Sequence, residues 1–300
     1  MNNPLVSIIM SCYNGENFIS RSVTSILNQT YKNWELIFWD NNSSDSSRES
    51  ILSFKDNRIK YFKSNKTTLL SVSRENAINQ SNGDLVAFLD VDDEWLEKKL
   101  ENTVRHFDNN KDCSLYFSNY YINFSDKKKI KTIKNNFDIK NDLYNYVFKK
   151  YVKNSGLFAF LTVVIKRNVL ENEKYYFDKN LHITADFELI LRLSSKYKFC
   201  FDKIPSAVYY KHSSNETSNS LEKQSRELLY CLNKISEDKL LSLDMKNHFR
   251  ENINYNFIKV DLINKNYKNF FSKLFKIKYM SLKIKLILIF ILSLIGINNI

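Results

Sequence analysis

Three carboxylates lie within four positions, directly after a run of five apolar residues. The run covers residues 85–89, and the acids are Asp90, Asp92 and Asp93. A continuous apolar run is typical of a buried parallel strand, and open α/β sheets bind ligands beyond the carboxyl ends of their strands. Carboxylates this close repel one another unless a cation compensates, and Mg²⁺ or Mn²⁺ prefers carboxylate oxygens. Two interpretations stay open: a divalent-metal site, or a solvated loop whose acids precede a helix N-terminus.

The residues before this stretch predict the sheet that would position it. Strand-like runs at 5–10, 34–39 and 59–62 alternate with helical patterns at 17–29, 46–54 and 71–80. This alternation predicts an α/β fold with a mostly parallel, Rossmann-like sheet flanked by helices. The chain has neither Gly-x-Gly-x-x-Gly nor Gly-x-x-x-x-Gly-Lys, so a phosphate would need a metal and cationic side chains.

Beyond residue 95 the pattern is less regular, and its elements are predicted one by one. We expect a helix over 95–108, a strand or strand pair over 113–124, a surface loop over 125–136, a helix over 138–152, a buried strand over 158–165, a polar loop entering a helix that ends near 195, and edge strands over 199–204 and 207–210. These elements extend one domain to about residue 215.

Charge and cysteine content narrow the function classes. The 300 residues carry a formal net charge of +12, but eight lysines against the single acid Asp261 lie in residues 258–285. A basic tail beside apolar sequence favours an anionic membrane surface over nucleic acid. The four cysteines are widely spaced with no Cys-x-x-Cys pair, which predicts neither a zinc site nor a disulfide framework. The first residues lack a basic, apolar leader, so we expect a cytoplasmic protein peripheral on the inner face of the membrane.

The tail ends in an apolar run, residues 286–297, interrupted by Ser293 and Gly296. A spanning helix takes about 20 such residues, so the run fits a helix lying in the membrane interface. A helix buried on the domain is the alternative.

Four stretches in this order resemble the family 2 glycosyltransferases, a large group of inverting enzymes with a GT-A fold. They are residues 6–14, 22–31, 35–45 and 83–93. The resemblance is specific over residues 5–100 and thinner to about 215. It implies a GT-A domain over 1–215, with a donor half to about 110 and an acceptor half over 111–215, followed by a helical C-terminal region over 216–300.

The resemblance implies roles for particular residues on the donor side. Tyr13 matches the aromatic residue that packs on the base, and Asp40 the acid that hydrogen-bonds the uracil. Arg74 resembles the cation beside the donor phosphates. Asp90 and Asp92 form the Asp-x-Asp element, with Asp92 as direct ligand of Mn²⁺ or Mg²⁺. From the residues alone, Tyr13 could be ordinary loop packing, Asp40 a helix N-cap and Arg74 a surface salt-bridge partner.

The implied general base lies later, in residues 184–189. Asp186 takes the base position, Ala185 stands where the family usually has Glu, and Glu188 is the rival base. Residues 208–215 resemble the family's Arg-x-His element, with Tyr210 where Arg is common. His212 is therefore a candidate for the metal or phosphate shell, and a structural histidine is the alternative. Asp93 is expected to cap the following helix, and Trp95 to anchor the core.

Together with the basic, apolar tail, the resemblance implies an inverting transferase that moves a sugar from a UDP-sugar to a glycan acceptor. The expected acceptor is lipid-linked, and the expected pathway is bacterial surface polysaccharide synthesis (O-antigen, lipooligosaccharide or capsule). A sugar nucleotidyltransferase is one alternative, although no Gly-rich activation loop follows the first strand. A non-catalytic basic protein that binds membrane or nucleic acid is the other, supported by the charge and the tail.

Overall fold

A computed structural model of the chain describes residues 3–124, 129–133, 159–212, 220–235 and 241–294. The chain divides into two compact units. Unit 1 comprises Met1–Val147 and Gly156–His212, and unit 2 comprises Phe148–Ser155 and Ser213–Ile300. The helix predicted over 138–152 lies outside the described residues.

Unit 1 is built on a sheet of seven described strands. In chain order these are β1 (Val6–Cys12), β2 (Trp34–Asp40), β3 (Ile59–Lys63), β4 (Leu85–Phe88), β6 (Leu115–Ser118), β9 (Val164–Lys166) and β10 (Phe199–Asp202). The spatial order is β10-β6-β9-β4-β1-β2-β3. All neighbouring pairs are parallel except those of β9, which runs antiparallel to β4 and to β6. The mostly parallel sheet is therefore confirmed.

Helices cover this sheet. They are α1 (Glu16–Leu27), α2 (Ser47–Leu52), α3 (Leu70–Asn79), α4 (Lys99–Asn109), α5 (Arg167–Glu171) and α6 (Ala185–Ser194), with a 3₁₀ helix at Phe160–Thr162. Consecutive residues Ile8, Ile9 and Met10 of β1 are all buried. Since successive side chains of a strand point to opposite faces, both faces of the sheet are covered, as in parallel sheets generally.

The register of the strands brings their carboxyl ends to one edge. Cys12 at the end of β1 is level with Asp40 at the end of β2, and Phe88 at the end of β4 is level with Ile9. The polar loops after β1, β2 and β4 therefore open on the same side, where a ligand of an open α/β sheet binds.

Three local predictions are corrected, two of them by a second sheet of four described strands. It contains β5 (Glu94–Trp95), β7 (Tyr120–Phe124), β8 (Lys129–Ile133) and β11 (Ala207–Lys211), in the order β5-β11-β7-β8. The helix predicted from 95 begins only at Lys99, because Trp95 pairs with Ala207 of β11. The loop predicted over 125–136 contains β8, which pairs with β7. The strand predicted over 158–165 is instead the 3₁₀ helix followed by β9. β5 and β9 pair with strands distant in sequence, whereas β8 pairs with β7, the strand before it.

The prediction that no cysteines pair is also wrong. Cys113 and Cys200 are joined by a disulfide, with Cα atoms 5.8 Å apart and a sequence separation of 87. The pairing of β10 with β6 brings them together, since Cys200 is level with Tyr116. Spacing along the chain does not reveal such a contact.

Unit 2 is helical in its described part. It contains α7 (Leu221–Lys234), α8 (Leu243–Ile263), α9 (Phe270–Lys276) and α10 (Met280–Leu294). The last three helices share one buried cluster, which includes Ile258, Leu262, Phe270 and Leu286. None of the helices in the described ranges has the length and apolar character needed to cross a lipid bilayer.

One lysine of unit 1 is fully buried. The ammonium of Lys99 donates a hydrogen bond to the carbonyl of Thr162 at 3.0 Å and lies 4.9 Å from the centroid of the Trp95 ring. Trp95 is itself buried, as expected of a core anchor, and its indole N–H donates to the Leu161 carbonyl at 2.8 Å. Burial lowers the pKa of Lys99 to about 7, against an ordinary value of 10.5.

This burial predicts a pH-dependent stability. Between about pH 7 and 10.5 the unfolded chain holds a proton on Lys99 that the folded chain has released. The free energy of unfolding should therefore rise with pH in that window, by up to ~1.4 kcal/mol per pH unit. Urea unfolding at pH 7 and pH 9 should show that Lys99→Met removes about 2–3 kcal/mol of this rise. The exposed neighbour supplies the control, Lys98→Met, and equal pH dependence in both variants would contradict the interpretation.

Candidate active site

Asp40 ends β2 with a buried carboxylate, only 1% exposed. One oxygen accepts a hydrogen bond from the backbone N–H of Ser43 at 2.7 Å, and the other accepts from the Tyr61 hydroxyl at 2.7 Å. The helix that follows begins at Ser47, so Asp40 closes a turn and is not the helix N-cap considered above. The two donors fix the orientation of the carboxylate. Tyr61 is a partner that the sequence did not indicate.

Tyr13 lies in the loop after β1 with 55% of its surface exposed, so it is not packed into the core. The next residue, Asn14, has a positive φ of 53°, and its side-chain oxygen accepts from the backbone N–H of Ser44 at 2.9 Å. The backbone N–H of Asn14 donates to the Ser43 hydroxyl at 3.0 Å. The loops after β1 and β2 are therefore tied together at Asn14, and the adjacent Tyr13 has an exposed side chain.

Arg74 projects from α3 and is 5% exposed, which excludes a surface salt bridge. Its guanidinium donates to a carboxylate oxygen of Asp90 at 2.7 Å and lies 4.8 Å from the centroid of the Phe160 ring. The pair joins α3 to the residues that follow β4. It places a buried positive charge among the acids.

Asp92 and His212 meet although 120 residues separate them. The imidazole Nε2 lies 3.2 Å from the Asp92 carboxylate, and the ring stacks on Phe18 at a centroid distance of 5.0 Å. Burial and the neighbouring Asp90 carboxylate raise the pKa of Asp92 above its ordinary value, while His212 lowers it. A cation placed at this pair would relieve the repulsion between the acids.

Asp93 does not cap a helix. Its buried carboxylate accepts from the backbone N–H of Tyr210 in β11 at 2.9 Å. Burial, followed by the charges of Asp92 and Asp90, raises its pKa well above the ordinary value. The expected helix cap is wrong because β5 intervenes before α4 and brings β11 beside the acids.

Arg21 of α1 is a site residue that the sequence analysis missed. Its guanidinium donates to the backbone carbonyl of Asp92 and stacks over the Tyr210 ring, 3.6 Å from the centroid. The Tyr210 hydroxyl in turn donates to Glu94 at 2.8 Å. A polar residue on a helix with otherwise regular apolar spacing was the available signal. Only the fold shows that Arg21 reaches Asp92 in the turn that follows β4.

Asp186 lies in the first turn of α6, half-buried, and its carboxylate accepts the backbone N–H of Phe187 at 2.7 Å. Burial raises the pKa of Asp186, and the guanidinium of Arg74 lowers it. The charge of Asp90 makes a smaller contribution that raises it. Asp186 is therefore within electrostatic range of the Arg74–Asp90 pair. Helix α3 is also hydrogen-bonded to the segment just before Asp186, through Leu70 with His182 and Ser71 with Leu181. Residues far apart in the chain thus form one cluster.

Glu188, the rival base, has a different environment. Its carboxylate accepts from the Tyr175 hydroxyl at 2.9 Å and pairs with Arg192 at 3.1 Å. Arg192 also pairs with Glu173 at 2.6 Å. Glu188 is therefore part of a buried ion-pair network that attaches α6 to the preceding segment.

A divalent metal can be tested against these residues. Within the described ranges, no group of three or more His, Cys, Asp or Glu side chains is close enough to hold an ion alone. Asp92 and His212 have ligand atoms 3.2 Å apart, close to the ~3 Å between adjacent ligands of an octahedral ion with ~2.1 Å bonds. Mg²⁺ commonly uses one or two protein ligands and completes its shell with substrate phosphates and water. The residues fit an ion of that kind.

The fold and this arrangement agree with comparisons to known proteins. Residues 7–170 match the model of glycosyl transferase family 2. The chain belongs to glycosyltransferase family 2, and its fold is GT-A.

The relatives differ in how far they match. The UDP-Glc:alpha-D-GlcNAc-diphosphoundecaprenol beta-1,3-glucosyltransferase WfgD of Escherichia coli is 37% identical over 172 residues, which span 57% of this chain and 63% of WfgD. S. aureus TarS 1-349 in complex with UDP-GlcNAc has a TM-score of 0.61 at 14% identity, covering 96% of this chain and 81% of that one. A mannosyltransferase of Pyrobaculum calidifontis, in complex with GDP-Man and Mn2+, has a TM-score of 0.62 at 13% identity, covering 98% of this chain and 87% of its own.

Arg21 generates a prediction about ligand binding. With UDP as the probe, Arg21→Ala should weaken binding by up to about 30-fold, because it releases the Asp92 carbonyl and the Tyr210 ring and the two contacts contribute about 1 kcal/mol each. Isothermal titration with UDP measures the change, and thermal unfolding verifies that the variant is folded. Arg105→Ala, which removes an exposed arginine of α4, is the control. If both substitutions had an equally small effect on binding, Arg21 would not be part of the ligand site.

Proposed function

We propose that this chain transfers a sugar, with inversion, from a UDP-sugar to a lipid-linked glycan acceptor in bacterial surface-polysaccharide synthesis. The observation that carries the proposal is the common environment of Asp186, Arg74 and Asp90. A candidate base and a cation suited to phosphate lie at one edge of the sheet. This proximity is what direct transfer between a nucleotide-sugar and a hydroxyl requires.

On the donor side, the uracil would lie against the exposed Tyr13 ring and donate its N–H to Asp40. The Asp40 carboxylate already points in a fixed direction because Ser43 and Tyr61 donate to it. A preorganised acceptor of this kind loses little entropy on binding. Tyr13, Asp40, Arg74 and Asp90 form the proposed donor site.

The leaving group is a nucleoside diphosphate, on which negative charge develops as the glycosidic bond breaks. When bound, Mn²⁺ or Mg²⁺ supplies Lewis-acid stabilisation of that charge. Asp92 and His212 would hold the ion, with Asp90 as the further ligand expected from the Asp-x-Asp element. Arg74 adds a fixed positive charge beside the diphosphate and holds Asp90 in place.

On the acceptor side, Asp186 takes the proton of the attacking hydroxyl. A carboxylate with a raised pKa is a stronger base than an ordinary aspartate. The oxygen attacks the anomeric carbon from the face opposite the diphosphate, so one displacement inverts the configuration. No covalent nucleophile is needed.

Support for the acceptor comes from WfgD, whose name specifies a UDP-Glc donor and a diphosphoundecaprenol acceptor. A lipid-linked acceptor would place the reaction at the inner face of the cytoplasmic membrane. Nucleic acid has no part in the proposal. Incubation with a panel of UDP-sugars, Mn²⁺ and a diphospholipid-linked sugar tests it. Release of UDP with glycosylated lipid supports the proposal, whereas pyrophosphate release would indicate a nucleotidyltransferase.

Substitutions of Asp186 and Glu188, two acids in the first turn of α6, distinguish the base from its rival. Asp186→Asn should lower kcat by about 10²–10⁴-fold, because it removes the proton acceptor. Glu188→Gln should leave kcat within about twofold and instead lower the free energy of unfolding by about 1–3 kcal/mol, because it weakens a buried hydrogen-bond network. Steady-state transfer and urea unfolding measure the two effects. A reversed pattern would make Glu188 the base.

The pH profile provides an independent check on Asp186. A base must be deprotonated, so activity should fall as pH decreases through its raised pKa. The acid limb of kcat/KM should therefore lie above 3.8, the ordinary value for an aspartate. An acid limb at or below that value would contradict a buried base.

The need for a metal is tested by removing it with EDTA and by substituting its proposed ligand Asp92. EDTA should abolish transfer and added Mn²⁺ should restore it, while Asp92→Asn should raise the Mn²⁺ concentration for half-maximal activity by about 10–100-fold. Asp112→Asn, at an exposed aspartate of unit 1, is the control. Transfer that survives both EDTA and Asp92→Asn would exclude the metal role.

A further inference from the structure

The last described helix of unit 2, α10, has apolar residues on two opposite sides. One side is buried against α8 and α9 through Leu282, Leu286 and Ile289. Phe290 adds to it by stacking on Phe270, with ring centroids 4.5 Å apart. The other side is exposed to solvent and consists of Met280, Ile284, Ile287, Leu288 and Ile291. The spacing of these residues places them on one helical face.

The orientation of α10 is fixed at its N-terminus. The buried carboxylate of Glu251 in α8 accepts from the backbone N–H groups of Lys278 and Tyr279, at 2.7 and 3.2 Å. A carboxylate satisfies the free N–H groups at a helix start and suits its dipole. Because one side of α10 is packed and its N-terminal end is hydrogen-bonded, the packing of unit 2 holds the other apolar side outward.

Helix α9 extends the exposed apolar area. Phe271 is 58% exposed and contacts the edge of Phe290, with centroids 5.7 Å apart, and Phe275 is 77% exposed. We call these two residues, together with the exposed side of α10, the α9–α10 face. Single exposed apolar residues are common on proteins, but a set of seven on two adjoining helices indicates a binding surface.

The surroundings of this face are strongly basic. Exposed lysines on the same segment are Lys265, Lys268, Lys276, Lys278 and Lys285. The single acid in residues 258–285, Asp261, is paired with Lys273 at 2.5 Å. The segment therefore presents apolar side chains flanked by uncompensated positive charge.

We propose that the α9–α10 face inserts into the headgroup region of an anionic lipid bilayer. The apolar side chains would enter the acyl boundary, and the lysines would contact the anionic headgroups. The 15 described residues of α10 extend ~22 Å, and one side of the helix is packed against α8 and α9, so its exposed side would meet the bilayer lengthwise. The inference rests on the proposed function, because a membrane surface is where a lipid-linked acceptor is reached.

Charge argues against other occupants. A second copy of the chain would bring the same lysines to the contact, and like charges at an interface oppose association. Nucleic acid would satisfy the lysines but not seven exposed apolar side chains, since its binding is dominated by phosphate contacts. A lipid surface satisfies both features.

Vesicle sedimentation of the full chain tests the surface separately from catalysis. The protein should pellet with phosphatidylcholine vesicles containing phosphatidylglycerol, less with phosphatidylcholine alone, and less again at high salt. The triple substitution Ile284→Ser, Leu288→Ser, Ile291→Ser should lower the partition coefficient at least about tenfold. The triple substitution Lys276→Gln, Lys278→Gln, Lys285→Gln should lower it about 100-fold, since each lysine contributes about fivefold.

Two control variants match these changes elsewhere on the chain. Leu52→Ser, Ile204→Ser, Leu243→Ser removes exposed apolar residues outside the face, and Lys32→Gln, Lys55→Gln, Lys98→Gln removes exposed lysines of unit 1. Both should bind vesicles as the wild type does. Circular dichroism and thermal unfolding verify that every variant is folded.

Several outcomes would overturn the inference. Unchanged vesicle binding by the apolar variant would exclude this face, and equal binding to neutral and anionic vesicles would exclude the anionic lipid. Concentration-dependent dimerisation that the same substitutions abolish, without vesicle binding, would identify a second copy as the occupant. UDP release from a UDP-sugar, assayed without vesicles, reports on the transferase separately. If the wild type releases no UDP from any UDP-sugar but still binds vesicles through the α9–α10 face, the proposed function is wrong and the membrane-binding face is supported.

Discussion

Electrostatic crowding at the end of β4 is the constraint on which the site of unit 1 depends. Asp90, Asp92 and Asp93 are close in the chain and partly or fully removed from water, and burial raises the pKa of Asp92 and of Asp93. Ionised acids in such a place need compensating partners. The fold supplies Arg74, His212 and a backbone N–H of β11.

These partners come from elements that are remote in sequence, and this explains features of the architecture with no obvious local cause. The short strand β5 interrupts what would be a longer helix and allows β11 to lie beside the acids. Helix α1 brings Arg21 to the Asp92 carbonyl. Helix α3 brings Arg74, whose charge also acts on Asp186. One set of compensating contacts thus brings together the residues that we propose as the donor site and as the base.

Unit 2 is distinguished by the apolar and basic surface that its helices leave exposed. Its helices bury one apolar side and leave another exposed, beside lysines that are largely uncompensated. Exposed apolar area costs solvation free energy, and a net positive surface repels itself. Both costs fall at an anionic interface. The polar site of unit 1 and the basic, apolar surface of unit 2 both suit the proposed transfer from a soluble nucleotide-sugar to a lipid-linked acceptor.

The sequence by itself determined the alternating strands and helices of residues 5–89, because apolar runs and helical spacing are local properties. It also indicated Tyr13, Asp40, Arg74, Asp90 and Asp92, since their motifs follow one another in a recognisable order. Only the tertiary structure decided the short strands β5 and β8, the Cys113–Cys200 pair and the contact of Arg21 with the acid turn. The strand β5, the disulfide and the Arg21 contact each depend on a partner distant in the chain, whereas β8 depends on pairing with β7, the strand before it. Strand pairing and charge compensation leave no periodic pattern in the residues that take part.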